Sequence, residues 1–153
     1  LFYDGVKKAE TTSYGKKVTG YQTQTALPIA SLSHSNAVDI SDDVLDSGNF
    51  YSDVRVNQGS HFNDSNGRFT CPVDGVYRIY FRASIDSTNS NIRLRKNGTT
   101  INEAYDENHG NQYTTTSQTV VTCSANDYLD VQVNRLKAIS GGQHKIITFE
   151  LIA

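Results

Sequence analysis

Residues 51–81 read YSDVRVNQGSHFNDSNGRFTCPVDGVYRIYF, and how they are read decides the fold. Phe62 sits in a loop rich in Asn, Asp and Gly, where a buried ring would anchor an otherwise polar segment. From Phe69 onward the pattern is strand, turn, strand. Tyr77, Ile79 and Phe81 alternate with Val76, Arg78 and Tyr80, so one strand face is large and apolar while the other is mixed. Gly75, after Pro72, is expected to supply the turn. These side chains are the material of a core rather than of chemistry, so the stretch speaks to architecture.

The same grammar continues towards the C-terminus. In "NIRLRKNGTTINEAY" (91–105), Asn97-Gly98 lies between alternating segments carrying Ile92, Leu94 and Ile101. Asn-Gly tolerates positive φ at both central positions, which predicts a type I′ hairpin. "QYTTTSQTVVTC" (112–123) is a long β-branched run. "NDYLDVQVNRL" (126–136) puts Leu129, Val131 and Val133 on one face. "HKIITFELIA" (144–153) puts Ile147, Phe149 and Leu151 on one face. Upstream, "TALPIASL" (25–32) reads as a first core strand, and residues 33–49 as a polar loop holding "SDDVLDSGN".

Composition agrees and excludes several functions. Thr, Ser and Asn supply 43 of the 153 residues, a mix that disfavours long helices and suits strands and turns. A net charge of -2 and a pI near 6.1 argue against a nucleic-acid partner. No apolar run approaches the roughly 20 residues that span a bilayer as a helix, so membrane insertion is not expected. Cys71 and Cys123 fit no metal spacing, and the sequence leaves them as two packed thiols or one disulfide. The four histidines show no zinc-like spacing and read as surface residues. No nucleophile elbow or phosphate-binding glycine loop is present. The expectation is a protein that is not an enzyme. The chain contains no methionine, which points to a processed product or a C-terminal fragment.

The stretch 51–81 resembles the signature of the C1q-like domain family. That signature is carried here by Tyr51, Asn57, Phe62, Phe69, Gly75, Tyr77, Ile79 and Phe81. Tyr51 stands in place of the usual Phe, and Ile79 in place of an aromatic. "GRFTCPVDGVY" is close to the family consensus, and "ANDYLDV" and "ITFELI" fall where the family has its late strands. The resemblance implies an all-β, C1q/TNF-like jelly-roll sandwich of about ten antiparallel strands over residues 25–153. It also implies a compact homotrimer, with both termini at the base and loops at a distal apex. Calcium near the three-fold axis is the cofactor it implies.

The opening, "LFYDGVKKAETTSYGKKVTG", is poor in core material. It is similar to repeats in the shafts of tail-fibre proteins from marine and cyanobacterial phages. Tyr3, Gly5, Lys7, Lys8, Glu10, Thr11, Thr12, Ser13, Gly15, Val18, Thr19 and Gly20 carry that match, and Lys16-Lys17 departs from it. Residues 1–24 are therefore expected to be a short β fibre-shaft segment before the head. A strand without a core of its own can bury itself against two copies of itself. The implied function is the trimeric receptor-binding head of a virion tail fibre, adsorbing to a host-surface glycan or protein. The alternative is a secreted, extracellular C1q/TNF-like ligand or lectin that binds a cell-surface receptor. A third reading is a structural cap that holds a fibre in register.

Two loops are the candidate working surface. "YDENHGNQY" (105–113) and "DSTNSN" (86–91) are too polar to be core. Tyr105, Asn108, Asn111 and Tyr113, with Asn89 and Asn91, combine flat aromatic surface with adaptable hydrogen bonding, as recognition loops do. Asp106 also belongs to that candidate receptor site, and with Glu107 offers hard oxygen donors for calcium. Asp42, Asp43 and Asp46 form a second acidic cluster in the expected loop, read as solvated or as calcium ligands.

Overall fold

The computed structural model describes residues 27–86, 89–106, 113–139 and 145–153, with four short strands of the opening stretch. In that stretch β1 (Phe2–Tyr3) pairs with β2 (Val6–Lys7), and β3 (Ala9–Thr12) with β4 (Gly15–Val18), both antiparallel. The body continues through β5 (Ile29–Ser33), β6 (Val38–Val44), β7 (Asp53–Gln58), β8 (Phe62–Asn63) and β9 (Arg68–Thr70). Longer strands follow: β10 (Gly75–Ile85), β11 (Ser90–Lys96), β12 (Thr99–Asp106), β13 (Tyr113–Cys123), β14 (Tyr128–Ala138) and β15 (Ile146–Leu151).

The strands form two layers. One is ordered β13-β10-β15-β5-β7. The other is built on β12-β11-β14, with β6 and β9 both paired to β14, and β8 to β9. Ile85 pairs with Ala138 and stitches the layers together at one end. The body is thus an antiparallel jelly-roll sandwich: the alternation led to the two antiparallel layers, and the C1q-like resemblance to the jelly roll.

Alternation sets what is buried. Tyr77, Ile79, Phe81, Ala83 and Ile85 of β10 are wholly buried, as are Ile147 and Phe149 of β15. They meet Ile92 and Leu94 of β11 and Leu129, Val131 and Val133 of β14. A chain of rings runs through this core. Tyr51 meets Phe62 edge-on at 5.4 Å, Phe62 stacks on Phe149 at 5.8 Å, and Phe149 stacks on Phe69 at 5.5 Å. Phe62 anchors its loop by its ring, and Asn57 closes that loop. The Asn57 amide donates to the Phe62 carbonyl at 2.9 Å, and the Phe62 N–H donates to Asn57 Oδ1 at 3.0 Å. The motif Asn is therefore a structural clasp. Asn97 and Gly98 have φ of 50° and 76°, the backbone that the Asn-Gly hairpin demands.

Several expectations are corrected. Residues 33–49 are not one loop: β6 lies within them and pairs along β14. Only Ile40 of β6 is fully buried, so its strand character is masked by exposed aspartates. Gly75 is the first residue of β10 rather than a turn. A Cβ there would lie 2.5 Å from Leu151 Cδ1 and 2.7 Å from the Ala153 carbonyl oxygen, so close packing is what requires glycine. His34 and His61 are not plain surface residues. His34 stacks on Phe50 at 6.0 Å, and burial lowers its pKa; His61 lies edge-on to Phe69 at 6.3 Å. Cys71 and Cys123 are buried free thiols in contact, and burial pushes both pKa values up.

Candidate functional site

The outward face of the β12-β11-β14 layer brings part of the two candidate loops together. Ser90, Ile92 and Leu94 point inward, so Asn91 and Arg93 point outward. Register places Tyr105 beside Asn91 on one side and Asn134 beside it on the other. These three line a groove of about 370 Å³. Asn89 and Arg93 add to it from either side of Asn91, and Ser41 borders it from β6. Arg135 completes the lining from β14.

Arg135 is conformationally unusual. Its φ is 58°, a left-handed value that costs a non-glycine residue roughly 1–2 kcal/mol. The alternation of β14 breaks there. Val131 and Val133 face the core, and then Leu136 and Ala138 do. Register with β6 is undisturbed, since Asn134 pairs with Asp42 and Leu136 with Ile40. The wholly buried Ser90 hydroxyl donates to the Arg135 carbonyl at 2.9 Å and helps hold this conformation. Strain maintained by a dedicated hydrogen bond beside a groove is a pointer to function.

The polar groups are tightly organised. Asn91 Nδ2 donates to Glu103 Oε1 at 2.6 Å, and Arg93 Nε donates to the same oxygen at 3.0 Å. The Asn91 amide, and then the Arg93 guanidinium, hold the Glu103 carboxyl below its usual pKa. Asn91 Oδ1 is buried without a hydrogen-bond partner. Tyr105 is 58% exposed and presents its ring to solvent. One row further along, Arg95 grips the buried Asp130 with two bonds of 2.6 and 2.9 Å, and donates to Gln132 at 2.9 Å.

Of the candidate residues, Asn89, Asn91 and Tyr105 meet in the groove. Tyr113 does not. It opens β13 opposite Ile85, on the other layer, and packs against the core. Asp106 ends β12 opposite Ser90. Glu107, Asn108 and Asn111 lie outside the described residues, as does the side chain of Asp106, and with them the candidate calcium pair. Among the described residues no group of His, Cys, Asp or Glu is arranged to hold a metal. The acidic cluster is divided. Asp42 accepts from Gln132 at 3.3 Å, while Asp46 Oδ1 is occupied by the N–H groups of Gly48 and Asn49. The sequence reading missed Arg93, Asn134, Arg135 and Ser41. Arg93 shares the alternation of Asn91 and was findable that way; the other three join only through strand pairing.

The groove lies far from the C-terminus of the chain. The Val76 N–H bonds to the Ala153 carbonyl at 2.6 Å, at the Gly75 end of β10. The Ile85 end lies about 33 Å away at ~3.3 Å per residue, and is tied to Ala138, close to Arg135.

The profile of the C1q domain matches residues 31–150. Complement C1q tumor necrosis factor-related protein 2 of mouse is 28% identical over 80 residues, covering 52% of this chain and 27% of that protein. Related protein 7 of mouse is 25% identical over 83 residues, covering 54% of this chain and 29% of that protein. The matched segment thus spans less than a third of these relatives. Among solved structures, the globular domain of zebrafish complement 1qA protein has a TM-score of 0.64 at 19% identity, covering 82% of this chain and 98% of its own. Murine APRIL has a TM-score of 0.61 at 12% identity, covering 82% and 99%. These two likenesses establish the fold.

Proposed function

The chain belongs to the C1q domain family, and from that premise we propose that it is a non-enzymatic, extracellular recognition domain working as a homotrimer. Its partner is a cell-surface receptor, protein or glycan, engaged through the groove around Asn91. The observation that carries this reading is the groove itself. The open end of the β11–β12 hairpin supplies Asn89, Asn91 and Tyr105, and β14 and β6 supply Asn134, Arg135 and Ser41, to one concave surface far from the C-terminus. Trimer formation is supported by the other layer. Its outward face carries exposed Val120 and Val56 with partly exposed Ile29, Tyr80 and Ile146. Three grooves on one trimer would turn modest affinity into avidity.

A second reading is supported by the opening stretch. Its likeness to phage tail-fibre shaft repeats, and the pairing of β1 with β2 and β3 with β4, favour a receptor-binding head at the end of a fibre. Residues 1–24 would then be the last shaft repeat, and residues 25–153 the head. The sequence upstream in the parent gene separates the two readings. Further shaft repeats favour the fibre, and a collagen-like G-x-y run favours the secreted ligand.

The test measures mass and binding together. Light scattering should give a trimer at micromolar concentration, and fluorescent chain should label a subset of a whole-cell panel. Tyr105→Ala should abolish labelling with trimer mass and Tm unchanged. Retained labelling would move the site elsewhere. Loss of the trimer would mean that the groove lies between subunits.

A further inference from the structure

The chain holds two Asn-Gly pairs, Asn66-Gly67 and Asn97-Gly98, and the fold treats them differently. Asn-Gly is prone to modify itself, because glycine has no side chain to hinder approach to its own nitrogen. That nitrogen attacks the Asn side-chain carbon Cγ, the Cγ–Nδ2 bond breaks, and ammonia leaves with the proton that the nitrogen gives up. Water then opens the five-membered imide at either carbonyl and leaves aspartate or isoaspartate. No oxidant or cofactor is needed, only a side chain free to swing Cγ onto the next nitrogen.

At Asn97 both ends of the amide are held by another turn. Nδ2 donates to Asp127 Oδ1 at 2.7 Å, and Oδ1 accepts the Tyr128 N–H at 2.9 Å. The orientation is unambiguous, since a carboxylate only accepts and an N–H only donates. The backbone is a second lock. In a type I′ turn the first central residue has ψ near about +30°, which turns Cβ away from the following nitrogen, so the imide cannot close until the turn opens. Asn66 is exposed, is not left-handed, and is held at one atom only. Its Oδ1 accepts the Arg68 N–H at 3.2 Å, within its own turn, and among the described residues Nδ2 has no partner. The products differ too. A carboxylate at position 97 would face the Asp127 carboxylate where the amide had donated, and the like charges oppose each other. A carboxylate at position 66 can still accept from the Arg68 N–H.

We infer that Asn66 is the deamidation site of the folded protein. Asn97 is a reserved site, closed by Asp127 and Tyr128 and converted only when the β11–β12 hairpin parts from the turn before β14. Conversion at Asn66 leaves the fold in place. Conversion at Asn97 removes the clasp irreversibly and marks a chain that has opened. Both pairs flank Tyr128, over whose ring the Arg68 guanidinium lies at 4.3 Å. Tyr128 opens β14 and Arg135 lies near its other end, so neither conversion touches the groove, and the inference stands apart from the recognition reading.

The whole chain is held at mildly alkaline pH, once folded and once in denaturant. Peptide mapping by mass spectrometry follows asparagine, aspartate and isoaspartate at both positions, with isoaspartate confirmed by enzymatic methylation. In denaturant the two pairs should convert at similar rates, since only local sequence then counts. In the folded chain Asn97 should convert about tenfold or more slowly than Asn66, the suppression expected of two hydrogen bonds, one of them to a charge. Asp127→Ala should speed Asn97 and leave the Asn66 rate unchanged. Asn97→Asp should lower Tm, and Asn66→Asp should not. Equal rates in the folded chain overturn the inference, as does an Asn66 that converts in denaturant alone. An Asn97 rate unmoved in a folded Asp127→Ala variant would overturn the clasp. Should that variant not fold, the comparison of the two pairs within the unaltered chain decides by itself.

Discussion

Across the outward face of the β13-β10-β15-β5-β7 layer, one row runs Val120, Arg78, Glu150, Ile29 and the next runs Gln118, Tyr80, Thr148, Ser31, Val56. Across the outward face of the β12-β11-β14 layer, the rows run Tyr105, Asn91, Asn134 and then Glu103, Arg93, Gln132. The first mixes apolar Val120, Ile29 and Val56 with polar side chains, and the charges in those rows are one ion pair between Arg78 and Glu150. The second is a lattice of charge-assisted hydrogen bonds around Glu103 and Asp130. Both layers share one core, yet their outer surfaces obey different physics. The exposed apolar side chains of the first face gain by meeting another apolar surface, and a copy of itself is always available. A bonded polar lattice holds its side chains in place before any ligand arrives, which lowers the ordering cost of binding.

The contrast can be broken first at the shared core. Phe81 is wholly buried and stands 6.1 Å from Phe50, so Phe81→Ala should cost roughly 3–5 kcal/mol. Denaturant titration should show that loss, with both faces failing together. A cost under about 1 kcal/mol would mean that the layers do not share the packing described. Next comes Asp130, fully buried beneath Arg95. Asp130→Ala leaves a guanidinium without its partner and should cost about 3 kcal/mol, the low end for a broken buried pair because Arg95 keeps some access to water. The assembly state should be unchanged wherever the protein remains folded. A smaller effect is expected on the apolar face. Val120→Lys puts an ammonium where a neighbouring copy would pack and should weaken association by about 2 kcal/mol per contact. Sedimentation would detect the shift towards monomer, while the melting of the isolated subunit stays level. Unchanged mass would remove this face from assembly.

The subtlest test concerns pH. Asp127 accepts from Lys96 at 2.8 Å, from Asn97 at 2.7 Å and from the Ser124 N–H at 2.8 Å. The Lys96 ammonium first, then Asn97 and Ser124, hold its pKa at about 2, below the usual 3.8. A depressed carboxyl stabilises the fold above its unfolded pKa, and that contribution disappears as pH falls through the folded value. Tm should therefore drop between about pH 4 and pH 2, and Asp127→Asn should flatten that drop. An identical pH profile in the variant would locate the acid sensitivity in another carboxylate.

Much of the fold was legible where local chemistry and alternation agree. Asn97-Gly98 announced a hairpin because few other dipeptides accept that backbone. Tyr77, Ile79 and Phe81, with Leu129, Val131 and Val133, announced inward faces because strand side chains alternate strictly. β6 escaped notice because an exposed strand packed by little more than Ile40 has no apolar stripe to read. Gly75 was misread because its requirement comes from Leu151 and Ala153, more than seventy residues away in the chain.

The sequence by itself determined which residues face inward, where the Asn-Gly hairpin turns and that Asn89, Asn91 and Tyr105 belong to loops too polar for a core. Tertiary structure alone decided that Asn91 would stand between Tyr105 and Asn134, with Arg135 twisted beside them. Alternation is a property of one strand, written every second residue. Adjacency across strands depends on register, and register is settled only when every inward side chain finds its place in the shared core.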